Sequence, residues 1–271
     1  MGRHFVVEHL RIGRIFECQP SQTARLRASG LHLAISLLIV VAAAILVFGI
    51  WYPFPYSEIS GGRSLFVLLA CVDVVMGPLI TLVIFNSAKP RRELVTDLIV
   101  IAALQLVALG YGLWTVYSAR PVHLVFEYSR MSVVRAAEID PRLLSLAPPS
   151  LRSLPLTGPT PITLRPFRTP SEQFDATMAA IDGAPLAART DLWQSYEDGI
   201  GDVLRVSKPV IELKTLFPRH GEAIEQAVRE TGREMSKLRY LPLVARDQVW
   251  TILLDASTAQ PVGFLALDSL Q

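Results

Sequence analysis

Cysteine is nearly absent from this sequence, with two in 271 residues. Cys18 lies in a basic N-terminal segment and Cys71 lies inside a long apolar run, so the two are not expected to pair. No cysteine follows Cys71. The second half of the chain must therefore fold without a disulfide bond.

The sequence also lacks the short motifs that carry common catalytic chemistry. G-x-S-x-G, G-x-x-x-x-G-K-[ST], H-E-x-x-H and C-x-x-C do not occur. The five histidines are scattered, and the acidic stretch from Glu197 to Asp202 lacks the alternating ligand spacing of a calcium loop. We therefore predict no catalytic residues, no metal site and no cofactor, and a protein that is not an enzyme.

Charged residues make up only 18% of the chain and are missing from long stretches. Residues 28–57 and 98–119 contain none, and Asp73 is the only one in residues 64–88. Each stretch reaches the roughly 20 residues that a helix needs to cross about 30 Å of hydrocarbon. The sequence predicts three transmembrane helices, at residues 31–51, 64–85 and 98–117.

The first apolar run is predicted to be an uncleaved anchor, because it exceeds the roughly 7–15 residues of a signal-peptide core and bulky residues follow it. Basic residues set the orientation. Residues 1–30 carry five arginines and the second loop carries Lys89, Arg91 and Arg92, whereas the first loop carries only Arg63. The N-terminal segment and second loop should therefore face the cytoplasm. In a bacterium, the helices would lie in the inner membrane and residues 120–271 in the periplasm.

Aromatic residues cluster near the predicted outer ends of two helices. Because such rings favour the membrane interface, they are predicted to form an interfacial belt. The belt would consist of Trp51, Tyr52 and Tyr56 after the first helix, and Trp114 and Tyr117 on the third. The small net charge of +2 reflects topology, and no nucleic-acid footprint is predicted.

Residues 120–271 have the pattern of a small α+β domain. Residues 121–128 and 131–139 are β-branched and aromatic runs that predict a hairpin. Seven prolines between Pro148 and Pro170 predict an irregular connector, since proline withholds a backbone donor from a sheet. Further patterns predict helices at 171–182 and 221–232, an ambiguous segment at 208–217, and a C-terminal antiparallel meander of strands at 238–246, 248–256 and 261–268.

Asp73 is the residue of the apolar half that most needs an explanation. A carboxylate at mid-membrane costs roughly 2.5–3.5 kcal/mol, so it normally faces protein or a functional path. Tyr111 should lie at about the same depth on the third helix and could donate a hydrogen bond to Asp73, with Gln105 a turn or more deeper. Gly77 leaves a notch on the face of Asp73, and Pro78 should kink the helix.

Three interpretations of this indented polar spot remain open. The third helix could fill it, and the spacing of Ala108 and Gly112 favours close packing there. A partner's transmembrane helix could dock on it. A proton or ion path is the third interpretation, although one carboxylate without a relay is weak support for it.

Several stretches together resemble a known family. They are "GLHLAISLL", "WYPFPY", "VDVVMGPLITLVIF", "DLIVIAALQLVALGYGLWTVYSARPVHLVFE" and, near the end, "LRYLPLVAR" and "LLDASTAQPVGFL". This series is similar to the type IV pilin accessory proteins of the TfpX/TfpZ group, from about Gly30 to Leu267. The family's recurrent positions here are Trp51, Tyr52, Pro53, Asp73, Gly77, Pro78, Gln105, Tyr111, Arg120 and Pro121.

The resemblance implies an inner-membrane chaperone dedicated to a type IV pilin, supporting its stability or assembly. The partners implied are the pilin's transmembrane helix and its periplasmic head, within membrane lipid, and neither nucleic acid nor a small-molecule substrate. Asp73, Gly77, Pro78, Gln105 and Tyr111 are the candidate partner-binding residues. The alternatives are a membrane-anchored periplasmic sensor or ligand-binding protein, which here lacks an output module, and a transporter or membrane enzyme.

Overall fold

The computed structural model describes residues 22–86, 89–246 and 248–270. Most of the predicted cytoplasmic segment 1–30, with Cys18 and three of its five arginines, lies outside the described residues.

Three long apolar helices form the N-terminal part of the described chain. They are Gln22–Trp51, Gly62–Ile84 and Arg91–Ser118, and all three are long and apolar enough to cross a membrane. The first two include single π-helical turns, at Val47–Trp51 and Val72–Met76. The three predicted helices are thus confirmed as helices, and the first and third begin earlier than the charge-free runs because backbone hydrogen bonding continues into polar residues.

The second helix packs between the first and the third. Phe48 of the first helix meets Phe66 of the second edge to face, with ring centroids 5.0 Å apart. Gly112 of the third helix lies so close to the second that a Cβ there would fall 2.3 Å from Cδ1 of Leu69. This close approach agrees with the small-residue pattern predicted for the third helix.

Residues 120–270, which we call the sheet domain, contain one mixed eight-stranded sheet. The strands are β1 Pro121–Phe126, β2 Met131–Arg135, β3 Thr160–Leu164, β4 Trp193–Gln194, β5 Lys208–Pro209, β6 Leu238–Val244, β7 Val249–Asp255 and β8 Pro261–Leu265. The strand order is β4-β3-β1-β2-β6-β7-β8, and β5 pairs with β6. The predicted hairpin (β1 and β2) and the C-terminal meander (β6, β7 and β8) are confirmed as antiparallel pairs.

Helices and apolar clusters cover the sheet. The predicted helices appear at Pro170–Ile181 and Gly221–Glu230, and the ambiguous segment is mainly helix Val210–Leu216. The first of these is capped by Thr169, whose side chain accepts a hydrogen bond from the amide of Glu172. The remaining helices are Pro141–Leu144, Tyr196–Val206, the single turn Tyr56–Ile59 and short 3₁₀ turns at Ala136–Glu138, Pro149–Leu151, Leu186–Ala188, Thr190–Leu192, Pro218–His220 and Met235–Lys237.

The proline-rich connector differs from its prediction as an irregular segment, because it contains β3. This strand pairs with β1 in parallel and with β4 antiparallel. Pro161 is tolerated because β4 pairs only with Thr163 and Leu164, so it does not reach the level of the proline. Proline is expected in sheets where the neighbouring strand is missing on one side.

Part of the sheet domain's core comes from the loop between the first and second helices. Tyr56 and Ile59 are buried in an apolar cluster that also contains residues of β1, β2, β6 and β7. The Tyr56 ring meets Phe264 at 5.7 Å. Because this loop is held by a helix at each end, its core contacts join the sheet domain to the helices.

These contacts correct part of the predicted aromatic belt. Tyr52 is fully buried, with its hydroxyl donating to the Val116 carbonyl at 3.0 Å, and Tyr56 is buried as described. Both rings are thus enclosed by protein, because the loop folds back on the bundle and the sheet. Trp51 meets Tyr117 edge to face, with ring centroids 5.1 Å apart, and Trp114 is exposed on the helix surface.

His123 of β1 is a buried histidine within the sheet domain. Its Nδ1 lies 2.9 Å from Oγ1 of Thr160, and its ring packs edge to face on Trp193 at 4.7 Å. Its Nε2 is buried without a hydrogen-bond partner. Burial lowers the pKa of His123 to about 4. The neutral ring is therefore the folded form at ordinary pH.

This depressed pKa predicts acid sensitivity of the sheet domain. Between about pH 6.5 and pH 4 the unfolded chain binds a proton at His123 that the folded chain excludes. The free energy of unfolding should therefore decrease by up to about 3 kcal/mol as the pH is lowered through this range. Unfolding of the full chain in micelles, followed by hydrogen exchange of β1 at several pH values, measures this. A His123→Gln variant should lose that part of the pH dependence; an unchanged slope would contradict the prediction.

Candidate functional site

A stripe of polar and small residues runs along one face of the second helix. Asp73, Gly77 and Thr81 are spaced four residues apart, which places them on the same face. Asp73 is 5% exposed and Thr81 is 1% exposed, although both lie in a helix with an otherwise lipid-like surface. The protein therefore surrounds this face, with the first helix on one side and the third on the other.

His32 of the first helix links all three helices through its ring nitrogens. Its Nδ1 lies 2.6 Å from Oγ1 of Thr81, and its Nε2 lies 2.6 Å from Oε1 of Gln105 on the third helix. An amide oxygen only accepts, so Nε2–H donates to Gln105. In the tautomer with that Nε2–H, Nδ1 accepts a hydrogen bond from the Thr81 hydroxyl, which gives both nitrogens a partner.

Gln105 also fills the notch at Gly77. A Cβ at position 77 would lie 1.8 Å from Nε2 of Gln105. The third helix thus occupies this notch, which was one of the three interpretations that the sequence left open. Glycine is required here because the amide side chain uses the space that any other residue would take.

Pro78 is joined to the first helix as well. The hydroxyl of Ser29 donates to the Pro78 carbonyl at 2.9 Å. A π-helical turn, Val72–Met76, immediately precedes Gly77 and Pro78, while the kink expected at Pro78 stays a prediction. Proline disturbs the hydrogen bonding of the preceding turn, and π turns are often found at functional sites.

Tyr111 does not contact Asp73, so the predicted hydrogen bond between them is wrong. Tyr111 is 69% exposed, and its ring lies 6.1 Å from that of Trp114. The prediction matched depth along the helix but not direction around it. At about 100° per residue, Tyr111 lies roughly 240° around the helix from the inward-facing Gln105.

Between the first and third helices lies an apolar groove of about 540 Å³, which we call the interhelical groove. The polar residues Asp73, Thr81, His32 and Gln105 all contribute to its surface. Asp73 is buried beside these groups, and none of the described residues donates a hydrogen bond to its carboxylate. The apolar lining includes Leu31, Ile35, Ile39, Leu98, Leu106 and Leu109.

Sequence reasoning missed His32, Thr81 and Ser29. A signal was present, because Ser29, His32 and Ser36 follow one another at spacings of three and four in a charge-free run. That spacing places them on one helix face, which must then face protein. Ser36 is indeed buried and lies at the groove.

The groove offers a long apolar surface and one carboxylate that receives no hydrogen bond from the described residues. Among the residues that the structure describes, no group of three or more His, Cys, Asp or Glu is placed to hold a metal ion.

Comparisons with known proteins identify relatives of this chain by sequence. A family model described as "Fimbrial assembly protein FimB" matches residues 20–61, which contain the first helix and the loop with Tyr56. Fimbrial assembly proteins of serogroups E1 and I of Dichelobacter nodosus are each 31% identical over 231 residues, covering 84% of this chain and 90% of the relative. The protein of serogroups C1 and C2 is 39% identical over 113 residues, 42% of this chain and 86% of the relative. No solved structure matches.

The contact between Gly77 and Gln105 predicts a specific pattern of stability. Gly77→Val should lower the free energy of unfolding in micelles by about 1–3 kcal/mol, because the new side chain overlaps the amide. The same change in a Gln105→Ala background should be milder, since the space is then free. Gly110→Val is the matched control, because nothing lies within 4 Å of a Cβ there. Equal losses at both glycines would refute the prediction.

Proposed function

This chain belongs to the fimbrial assembly protein family, and we propose that it is a membrane-embedded assembly factor for a bacterial type IV pilus. Its three apolar helices would span the inner membrane, with the N-terminal segment in the cytoplasm and the sheet domain in the periplasm. The basic residues of the loop between the second and third helices support this orientation. The role proposed is that of a chaperone for the pilin and not that of an enzyme.

The observation that carries the proposal is the buried carboxylate of Asp73 at the interhelical groove. In hydrocarbon, an ionisable side chain is retained mainly where it faces protein or serves a function. The neighbouring His32 forms hydrogen bonds with Thr81 and Gln105. None of these three side chains donates a hydrogen bond to Asp73. A partner that enters the groove with a donor group would supply the missing hydrogen bond.

A pilin helix has the properties that this groove requires. The resemblance to pilin accessory proteins implies a partner with one N-terminal membrane helix and an exported head. Its apolar face would pack on Ile35, Ile39 and Leu106, and its polar N-terminal end, with a cationic amine, would approach Asp73. An interaction between an amine and a carboxylate is strengthened where water is excluded.

The sheet domain would hold the pilin head at the same time. The loop bearing Tyr56 and Ile59 attaches the sheet domain to the helices, so the groove and the domain keep a defined relation. A chaperone with both surfaces could keep the pilin helix from aggregating in the membrane while its head folds. This would sustain pilin levels before the subunit enters the pilus.

Photocrosslinking in cells tests whether the groove holds the pilin helix. A photoreactive benzoylphenylalanine in place of Ile35 or Leu106, which line the groove, should capture pilin. The same group in place of Val83, which is exposed on another face of the second helix, is the matched control. We expect several-fold more pilin adduct at the groove positions. Equal capture at all three positions, or none in the groove, would overturn the proposal.

The contribution of Asp73 can be separated from its effect on folding. Asp73→Asn and Asp73→Leu should both lower the pilin adduct formed per molecule of this protein, with the larger loss for leucine, which cannot accept a hydrogen bond. Immunoblots of this protein give the normalisation. If Asp73→Leu lowers only its abundance and leaves the adduct per molecule unchanged, Asp73 stabilises the bundle and does not contact the pilin.

A further inference from the structure

Two large apolar side chains project from the junction between the helices and the sheet domain. Phe54, in the loop after the first helix, is 70% exposed, and Leu156, in the proline-rich connector, is 57% exposed. Other apolar residues of the same loop as Phe54 are buried, including Tyr52, Tyr56 and Ile59. The outer surface of the helix bundle is also apolar. The two exposed side chains therefore extend this lipid-compatible surface.

Hydrogen bonds fix the position of Leu156 relative to the helix ends. The amide of Gly158 donates to the carbonyl of Ile50 on the first helix at 3.1 Å. Nε of Arg120, just after the third helix, donates to the carbonyl of Pro155 at 3.4 Å. Leu156 lies between these two attachments, so the connector is held against the ends of both helices.

The lengths of the helices place these ends at the edge of the hydrocarbon. The uncharged part of the third helix, residues 98–118, is about 32 Å long at about 1.5 Å per residue. This length matches the roughly 30 Å of a hydrocarbon core. Tyr117 therefore lies at the boundary, and Trp51, whose ring lies 5.1 Å from Tyr117, brings the end of the first helix to the same level. Phe54 and Leu156 adjoin that level.

The charge of the connector also fits a membrane surface. Between Leu143 and Leu164 there is no Asp or Glu, and the single charged residue is Arg152. Bilayers of bacterial type present anionic headgroups, which attract a cation near the surface and repel carboxylates. An apolar tip with one nearby cation is the composition expected of a segment that lies in the interface.

We propose that Phe54 and Leu156 insert into the outer leaflet of the bilayer, so that the loop and the connector bind lipid in addition to the three helices. This inference rests on the membrane orientation proposed above. The two side chains would set the depth of the bundle, since a vertical shift in one direction would move them into water and a shift in the other would move the exposed Arg152 towards hydrocarbon. The interhelical groove would thereby be held at a constant depth in the membrane.

Spin-label accessibility in vesicles tests this inference on the full chain. Cys18→Ser and Cys71→Ala remove the native thiols, and Phe54→Cys or Leu156→Cys then carries a nitroxide in vesicles of phosphatidylcholine and phosphatidylglycerol. We expect oxygen, which concentrates in lipid, to relax both labels several-fold more effectively than a water-soluble nickel chelate. Phe174→Cys is the matched control, because Phe174 is 64% exposed on helix Pro170–Ile181 of the sheet domain. Its label should show the opposite preference.

A label at Val107→Cys separates this inference from the orientation on which it rests. Val107 is 72% exposed near the middle of the third helix and should prefer oxygen if that helix spans the bilayer. If Val107 is in lipid but position 54 or 156 behaves like position 174, the inference is wrong and the spanning helices remain. If Val107 is in water as well, both the spanning topology and the inference are refuted.

Discussion

The packing of the helices depends on one constraint, which is that polar atoms on an apolar helix must find partners within the protein. Hydrocarbon supplies no hydrogen bonds, so in the membrane-spanning arrangement proposed above the face of the second helix that carries Gly77 and Thr81 would have to be covered by protein. The first helix covers it with His32 and the third with Gln105, and each of these side chains is used twice. Individual hydrogen bonds of this kind contribute only about 0.6 kcal/mol on average in a membrane protein, but together they select one arrangement of three otherwise featureless helices. No described residue donates a hydrogen bond to Asp73 in this arrangement.

A second consequence is that the bundle and the sheet domain are joined by packing as well as by the chain. The loop between the first two helices contributes Tyr56 and Ile59 to the sheet domain, and the connector returns through Gly158 to the end of the first helix. Burial of a large aromatic side chain contributes about 1.5–3 kcal/mol, so the loop is not easily released.

Much of this architecture could be predicted from sequence because strong periodic signals produce it. The long stretches without charged residues predict the helices, and short β-branched and aromatic runs separated by turn residues predict the hairpin and the meander. The misses have local causes. Tyr111 was placed by depth alone, and direction around a helix needs the positions of its neighbours. Tyr52 appears in an interfacial position along the chain, but the fold of the loop decides whether lipid or protein covers it. Pro161 favoured an irregular segment, but β3 forms there. The missing backbone donor of Pro161 is tolerated because β4 is too short to pair at that position. His32 and Thr81 meet only in three dimensions.

The contribution of Tyr56 and Ile59 to the core of the sheet domain also changes where one structural module ends. A cut placed after the third helix would separate the sheet from two of its own core residues and expose the apolar surface that they cover. Chimaeras between members of this family would therefore need to exchange residues 52–61 together with the sheet, while keeping the helices on either side. The loop also precedes the strands of the sheet domain along the chain, so two core residues of that domain are synthesised before its first strand.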